Sequence, residues 1–392
     1  MHKIRLTLAA MTLAGGLHGV ALAQEPPPPP GGAGLLTWTP EQQRYGYRNM
    51  EKVTAVHVVP RGTHVKELPL APRQIDPKWT WNGAPQTVAS YMAAMNTSAV
   101  VVLKDGKIVL ERYGLDRKPD ERWTSFSVAK SVTATLVGVA IKDGKIKSLD
   151  DAVTDYIPEL KGGAYEGVTV RQLLTMTSGV KWNEDYTDLN SDVARAGVVP
   201  GEPGMNPIVS YMRKLPREAE PGTKFVYKTG ETDLAGILVS NAVGKPLSQY
   251  LSEKVWAPYG MEQDAIWVDD PAGHERGGCC MSMTARDYAR IGQFMLEGGK
   301  VNGQDVLPPG WVADATRAHQ SFPPGGVETG YGYFWWIIDG GYAAEGIFGQ
   351  QIFVYPAEKL VIAVNSAWPV ASKDELWQAQ AAFAQAVRAA AK

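Results

Sequence analysis

The order of strand and helix patterns along the chain constrains its fold more than any other feature of the sequence. Ser98–Gly114 consists of two β-rich runs joined by Asp105-Gly106, the dipeptide most typical of a two-residue hairpin turn. Strand patterns return only after residue 330, in YGYFWWIID, IFVYP and LVIAVNSAW. From Leu149 to about Glu275 the patterns are helical and contain no good strand. Strands from the two ends can therefore pair in one antiparallel sheet, with the helical middle inserted as a second lobe.

Helical patterns also flank the predicted strands, so the predicted fold class is α+β, an antiparallel sheet flanked by helices with an inserted all-helical lobe. The run Ser127–Gly144 is apolar on most faces and is expected to be a buried helix. The sheet lobe is predicted at about 38–148 and 276–392, and the helical lobe at about 149–275. Residues 38–73 have no clear pattern and are predicted to wrap this body irregularly. A cleft between two lobes is the default place for an active site.

The N-terminus has the three parts of an export signal. Lys3 and Arg5 form a positive start, Leu6–Val20 is apolar, and an A-x-A cleavage site ends at Ala23. Residues 1–23 are therefore predicted to be a signal peptide, with an uncleaved membrane anchor as the alternative. The apolar stretch is short and rich in Ala and Gly for a spanning helix, which favours cleavage.

A proline- and glycine-rich tether is predicted next, at residues 24–37, before the folded domain at 38–392. No other stretch is long enough to span a membrane, so the mature protein is expected in the periplasm, without stable membrane insertion. The 39 basic and 41 acidic residues are nearly balanced, which gives no sign of a nucleic-acid partner. The two cysteines, Cys279 and Cys280, are adjacent and cannot join distant segments. Two small buried residues are the favoured interpretation over a disulfide between neighbours.

Several common catalytic and cofactor motifs are missing from the sequence. The chain contains no G-x-S-x-G, H-E-x-x-H, phosphate-binding loop or C-x-x-C pattern. His57, His64, His274 and His319 show neither ligand spacing nor an obvious acidic partner. We therefore expect no metal and no cofactor, and a serine nucleophile would need a base other than histidine.

Ser127 and Lys130 supply such a pair in the pattern S-x-x-K. Residues three apart lie on one face of a helix, so the amine can reach the hydroxyl. The free N–H groups at the start of the helix stabilise negative charge beside Ser127. Burial would lower the pKa of Lys130 and make the neutral amine usable as a base. About one S-x-x-K is expected by chance in a chain of this length, so an ordinary buried helix would explain this motif taken alone.

The motif is one of an ordered series. SFSVAKS is followed by QLLTMTSGV (Gln172–Val180), WNEDY (Trp182–Tyr186), YKT and, near the end, GIFGQQIFVYP. In this order and spacing the chain resembles the β-lactamase and penicillin-binding serine hydrolase superfamily, and within it the branch of 6-aminohexanoate-dimer hydrolase and related carboxylesterases. The resemblance runs from about Trp38 to the C-terminus and implies a β-lactamase/transpeptidase-like fold. It also implies that Ser127 and Lys130 are catalytic.

In that family a second motif consists of a tyrosine, one spacer and a small polar residue. Tyr227-Lys228-Thr229 matches it, 100 residues after Ser127. The match implies that Tyr227 relays a proton between the serine, the lysine and the leaving group, with Thr229 beside the substrate. The letters KTG then arise by accident, because Lys228 occupies the spacer position.

The third family motif falls by resemblance on Ala344-Glu345-Gly346, before the IFVYP strand. Relatives carry Lys, His or Trp where this chain has Ala344, so binding of the carboxylate of a β-lactam is not expected. Glu345 is a substrate-binding candidate and, if it is ionised and faces inward, would repel such an anion. The next residue, Ile347, is expected to donate the second oxyanion-hole N–H, paired with that of Ser127.

Two further residues are substrate-binding candidates through the same resemblance. The hydroxyl of Tyr186 is expected to point into the cleft and bond a substrate amide or carbonyl. Gln350, in the GIFGQQ element, is the other candidate. For Tyr186 the alternative is a packing role.

Together these residues predict a metal-free periplasmic serine hydrolase that cleaves small esters or linear amides through an acyl-enzyme on Ser127. Two alternatives stay open. One is a β-lactamase or D-alanyl-peptide hydrolase acting on cell-wall substrates. The other is a catalytically silent, penicillin-binding-like scaffold. The natural substrate and the oligomeric state are left open by the sequence.

Overall fold

The computed structural model of the chain describes residues 34–392. The predicted signal peptide, residues 1–23, and residues 24–33 of the predicted tether lie outside the described residues. Folded structure begins earlier than the predicted domain boundary, because Leu35–Thr37 is a short 3-10 helix whose leucines pack on the sheet lobe.

The regular elements of the described residues follow in chain order. The strands are β1 Val56–Val59, β2 Lys78–Trp81, β3 Ala84–Thr87, β4 Thr97–Lys104, β5 Lys107–Tyr113, β6 Trp123–Thr124, β7 Ala265–Val268, β8 Met281–Met283, β9 Lys300–Val301, β10 Gln304–Asp305, β11 Gln320–Ser321, β12 Glu328–Tyr331, β13 Trp336–Ile338, β14 Gly341–Gly346, β15 Gln350–Tyr355 and β16 Leu360–Ser366. The α-helices are α1 Pro40–Arg48, α2 Met50–Val53, α3 Val88–Ala94, α4 Val128–Lys142, α5 Val170–Leu174, α6 Asp192–Arg195, α7 Pro207–Met212, α8 Thr229–Val243, α9 Leu247–Leu251, α10 Ala257–Tyr259, α11 Ala285–Leu296, α12 Trp311–Ala315 and α13 Asp374–Ala390.

One antiparallel sheet of eight strands forms the centre of the sheet lobe, in the order β11-β12-β13-β14-β15-β16-β4-β5. β16 pairs with β4, for example Val361 with Leu103, so strands from the two ends of the chain meet in this sheet. The β4–β5 hairpin turns at Asp105 and Gly106, whose φ angles of 48° and 74° are the left-handed values that such a turn requires. The predicted α+β class with an antiparallel sheet is confirmed.

Both faces of this sheet are covered, because side chains alternate between the faces along its central strands. Val101 and Leu103 of β4 belong to the core that includes α4 and α11, whereas Val100 and Val102 belong to the core of α3 and α13. A strand buried on both faces needs apolar residues at every position. This burial explains the unbroken apolar run of β4.

The segment between α4 and β8 is mainly helical, and α8 packs against α4, α5, α7 and α9. One strand occurs in it, since β7 pairs with β1 and β8 in a smaller four-stranded sheet. The expectation of no strand before Glu275 is wrong at this point. All four residues of β7 are buried, so they show no alternation of polar and apolar side chains that would signal a strand. Within residues 34–392, no helix combines the length and the apolar character that crossing a membrane requires.

Residues 38–73 also contain more regular structure than predicted. The hydroxyl of Thr39 accepts the N–H of Gln42, and the side chain of Gln42 accepts the N–H of Thr39 in return. Pro40 occupies the first position of α1. Such a capping box with a proline is a helix start signal, visible in the letters TPEQ. The prediction of an irregular wrap is therefore wrong at α1.

Candidate active site

Ser127 stands at the N-terminus of α4, shortly after strand β6. The residue before it, Phe126, has φ 44°, a left-handed conformation that a bulky side chain rarely adopts. Two contacts hold this turn. The ring of Phe126 packs against that of Phe348, 5.2 Å between centroids, and the hydroxyl of Ser125 accepts the N–H of Met281 at 3.0 Å. The turn therefore places Ser127, which is 9% exposed, at the wall of the cleft.

The amine of Lys130 is the centre of a buried polar cluster. Its Nζ donates to Ser127 Oγ at 2.9 Å, to Thr229 Oγ1 at 3.0 Å and to the carbonyl oxygen of Gly278 at 2.7 Å. Burial lowers the pKa of Lys130 to about 8, although nearby carboxylates, first among them Glu184, act in the opposite direction. Roughly a tenth of the amine is therefore neutral at pH 7 and able to accept a proton.

Tyr227 lies beside this amine, with its ring centroid 5.1 Å from Lys130 Nζ, and it lines the cleft together with Ser127. The ring stacks on that of Trp336 with 5.4 Å between centroids. Val226, the residue before the tyrosine, donates its N–H to the carbonyl oxygen of Met176 at 3.0 Å. The QLLTMTSGV motif, which contains Met176, therefore positions Tyr227.

The lysine of the KTG letters does not line the cleft. Lys228 is fully buried, and its Nζ lies 3.5 Å from the carboxylate of Glu231 and 3.3 Å from the carbonyl oxygen of Val226. Burial raises the pKa of Glu231, and the charge of Lys228 opposes that shift. This position agrees with the assignment of Lys228 to the spacer between two motif residues.

Glu184 is a candidate functional residue that the sequence interpretation missed, although it lies inside the WNEDY motif. Its Oε2 accepts the N–H of Thr229 at 2.9 Å, and its Oε1 accepts the hydroxyls of Thr229 and Tyr186, the latter at 2.8 Å. The indole N–H of Trp182 also donates to it. Thr229 thus joins Lys130 to Glu184 in a continuous chain of hydrogen bonds. An acidic residue among polar neighbours gives no sequence signal, so only the fold shows that Glu184 faces inward.

Most of the other predicted site residues line the same cleft. Tyr186, Glu345 and Ile347 lie around Ser127, and Ile347 directly follows the end of β14, where an oxyanion-hole N–H was expected. The structure brings the predicted residues together. Their roles in catalysis and binding stay predictions.

Gln350 is the exception among the predicted site residues. Its side chain is fully buried, and its Nε2 donates to the carbonyl oxygens of Phe348 and Ser366 at 3.2 and 2.7 Å. Its Oε1 accepts the N–H of Ser366 at 3.2 Å. The substrate-binding role expected for Gln350 is wrong, because both the nitrogen and the oxygen of its side-chain amide already form hydrogen bonds with backbone groups. Gln350 instead ties the turn after β14 to β16.

The cleft has two unlike sides around Ser127. One side, here called the apolar side, includes Leu36, Val193 and Val198, with Arg276 as its charged group. Arg276 donates to Asp233 at 3.0 Å, and that carboxylate raises the pKa of Arg276. The opposite side, here called the acidic side, is lined by Glu328, Glu345, Asp374, Trp336 and Trp377 together with Tyr227.

Cys279 lines the apolar side, and Cys280 is buried beside it. The structure brings the two sulfur atoms into direct contact, and of the two residues expected to be buried only Cys280 is fully buried. Cys280 has φ 69°, and this left-handed turn of the backbone accompanies the close approach of the two side chains. Sequence patterns do not show such a turn at a residue other than glycine.

Comparisons with known proteins agree on one family. The family model described as "Beta-lactamase" matches residues 84–385. A 6-aminohexanoate-dimer hydrolase from Paenarthrobacter ureafaciens is 33% identical over 288 residues, which cover 70% of this chain and 73% of that protein. A beta-lactamase from Pseudomonas fluorescens is 26% identical over 205 residues, which cover 50% of each chain. A solved Bacillus anthracis structure assigned as a 6-aminohexanoate-dimer hydrolase has the same fold, with a TM-score of 0.81, 24% identity, and coverage of 92% of this chain and 97% of that chain.

The lowered pKa of Lys130 predicts how activity depends on pH. If its neutral amine is the base, kcat/KM for 4-nitrophenyl acetate rises with pH through an apparent pKa of about 8. Replacing Glu184 with glutamine removes a negative charge that favours the ammonium form of Lys130. The pKa of Lys130 therefore falls in Glu184→Gln, and the rising limb of the plot of kcat/KM against pH moves to lower pH. Glu220→Gln is the control: it makes the same substitution at an exposed position and is expected to leave the pH dependence unchanged. A limb that does not move in Glu184→Gln would contradict this assignment.

The close approach of β14 to the serine turn predicts a second effect. A Cβ on Gly346 would lie 2.4 Å from the carbonyl oxygen of Ser125, so Gly346→Ala must push the end of β14 away from Ser127. Displacing the N–H of Ile347 by about an ångström should lower kcat by roughly a hundredfold. Gly326→Ala, where the nearest atom is 3.5 Å away, is the matched control. Unchanged kcat in a folded Gly346→Ala protein would count against Ile347 as an oxyanion donor.

Proposed function

The chain belongs to the beta-lactamase family, and on that premise we propose that it is a serine hydrolase cleaving small esters or linear amides through an acyl-enzyme on Ser127. One observation carries the proposal: the amine of Lys130 is buried, has a lowered pKa and lies 2.9 Å from the hydroxyl of Ser127. A serine beside a partly neutral buried amine has the base that it needs for nucleophilic attack.

The geometry supports a two-step reaction. Ser127 Oγ attacks the substrate carbonyl carbon while Lys130 takes the hydroxyl proton, and the backbone N–H groups of Ser127 and Ile347 stabilise the negative oxygen. The hydroxyl of Tyr227 gives its proton to the departing alcohol or amine and takes one back from the protonated Lys130, which leaves an ester on Ser127. Water then attacks that ester and gives a proton to Lys130. The bond to Ser127 Oγ breaks, Oγ takes this proton back, and the acid is released.

Thr229 and Glu184 support this proton transfer. The hydroxyl of Thr229 accepts a hydrogen bond from Lys130 and donates one to Glu184. The carboxylate therefore stabilises the protonated lysine that forms during attack, and it holds the threonine in one orientation. In this arrangement Thr229 and Glu184 position Lys130, while Ser127, Lys130 and Tyr227 contact the reacting atoms.

The substrate class follows from the charge of the cleft. A β-lactam carries its carboxylate on the carbon next to the ring nitrogen, which is the leaving atom. Near Tyr227 that carboxylate would meet Glu345 and Glu328, and Ala344 provides no cation to hold it. Linear amides are also cleaved by a similar protein, since the Paenarthrobacter relative is named for hydrolysis of an amide dimer. Neutral esters and linear amides fit this cleft better than β-lactams.

A periplasmic location belongs to the same proposal. It rests on the export-signal pattern of residues 1–23 in the sequence. Fractionation of cells that express the full chain tests it, with mature protein beginning at Gln24 as the expected result.

Covalent labelling tests the nucleophile. A fluorophosphonate probe is expected to form one adduct, on Ser127, and Ser127→Ala is expected to abolish both the adduct and ester hydrolysis. Ser131→Ala, which changes a serine one turn further along α4, keeps the adduct and controls for general damage to the helix. Labelling that persists in Ser127→Ala would contradict the proposed acyl-enzyme on Ser127. A folded wild-type protein without any adduct or hydrolysis would instead support the silent scaffold.

Substrate preference gives the next prediction. Short-chain nitrophenyl esters are expected to be hydrolysed, and a chromogenic cephalosporin is expected to have a kcat/KM at least about a hundredfold lower, equivalent to about 2.7 kcal/mol of transition-state binding. Both values are measured on one preparation. Comparable efficiency on the cephalosporin would favour the β-lactamase alternative and would mean that a cation such as Arg276 reaches the carboxylate.

A further inference from the structure

The acidic side of the cleft concentrates negative charge close to the serine. Glu345 and Glu328 both line this side, and burial together with the charge of Glu328 raises the pKa of Glu345. Asp374, exposed in the first turn of α13, adds a third carboxyl group, and Glu184 lies deeper. Among residues 34–392, no lysine or arginine lines this side.

Aromatic rings form much of the rest of this wall. Trp336, Trp377 and Tyr227 line it, and the rings of Trp336 and Tyr227 are stacked. The faces of such rings attract cations, and aromatic cages recognise quaternary ammonium groups in this way. A neutral ligand would contact the rings but would bring no opposite charge to the neighbouring carboxyl groups.

Two buried polar atoms behind this wall have no hydrogen-bond partner in the described part of the chain. Gln351 donates its Nε2 to Glu345 at 2.6 Å, but its Oε1 accepts no hydrogen bond. The hydroxyl of Tyr331, whose ring meets Tyr227 and Trp336 edge-on, also lacks a partner. Buried polar atoms are nearly always satisfied in proteins. Neither residue lines the cleft, so a ligand there would meet the carboxyl groups and rings in front of these two atoms.

The acidic side is also where the leaving group must lie. Tyr227 lines the acidic side and not the apolar side, and Ser127 lies where the two sides meet. In the reaction proposed above, this hydroxyl gives a proton to the leaving alcohol or amine. The leaving group therefore extends along the acidic side. The acyl group extends in the other direction, toward Val198 and Cys279.

We propose that this enzyme prefers esters or amides whose leaving group carries a positively charged amine, which the acidic side binds between its carboxylates and aromatic rings. Asp374 and Glu328 are then specificity-determining residues, and the substrate is a derivative of an amino alcohol or a diamine. The proposal rests on the proposed function, because it assigns the leaving-group subsite of the same cleft.

A pair of esters with equal shape and different charge tests this subsite. 2-(Trimethylammonio)ethyl acetate is cationic, and 3,3-dimethylbutyl acetate is its neutral isostere with the same acyl group. Their kcat/KM values are measured by pH-stat titration on one preparation, and the cationic ester is expected to be favoured by at least about tenfold. The ratio of the two values is the readout, since it does not depend on the fraction of active enzyme.

Variants of the acidic residues locate the effect. Asp374→Asn and Glu328→Gln are each expected to lower the ratio at least about threefold, because each removes one carboxylate that faces the ammonium group. Glu375→Gln is the matched control: Glu375 is the next residue of α13, but it pairs with Lys373 at 2.6 Å in solvent and does not line the cleft. This control leaves the ratio unchanged.

The outcomes separate this proposal from the function on which it rests. A wild-type ratio near one, or a ratio that neither Asp374→Asn nor Glu328→Gln changes, overturns the ammonium subsite and leaves a serine hydrolase. Hydrolysis of 4-nitrophenyl acetate with turnover of neither test ester overturns the subsite as well. If the protein hydrolyses none of the three esters and forms no probe adduct on Ser127, the proposed function itself is overturned.

Discussion

The buried amine of Lys130 is the interaction on which the site depends. An ammonium group inside a protein is costly unless several acceptors surround it, and here three separate parts of the chain provide them. Ser127 precedes α4, Thr229 begins α8, and Gly278 lies in the loop before β8. Because α4 and α8 pack together across the two lobes, the same contact that buries the lysine also brings the serine, the threonine and Tyr227 to one place.

The partial neutralisation of this lysine follows from competing effects. Burial favours the neutral amine, while the carboxylates of Glu184 and Asp233 favour the ammonium form. The balance leaves a pKa of about 8, at which the amine can accept the proton of Ser127 and still be stabilised once protonated. A site without Glu184 would have a more neutral lysine but less stabilisation of the charge that forms on attack.

The proposed specificity depends on residues outside this centre. Glu328 and Glu345 lie on sheet strands, and Asp374 begins the C-terminal helix α13. The opposite side presents apolar side chains and Arg276. Ser127 therefore lies between two walls of different charge. In the function proposed here the fold provides the reaction, and these wall residues select the substrate.

The sequence by itself determined the elements whose signals are local. Asp105-Gly106 specified its hairpin because few residues tolerate left-handed backbone angles, and the motif series indicated Ser127, Lys130 and Tyr227 and made Lys228 a spacer. The start of α1 was also readable, although the irregular prediction overlooked its capping box. Only the tertiary structure decided the inward position of Glu184, the backbone contacts of Gln350, the strand β7 and the position of Glu328 and Glu345 on one wall of the cleft. Those features depend on contacts between residues distant in the chain, and neither spacing nor periodicity carries information about which distant residue a side chain will meet.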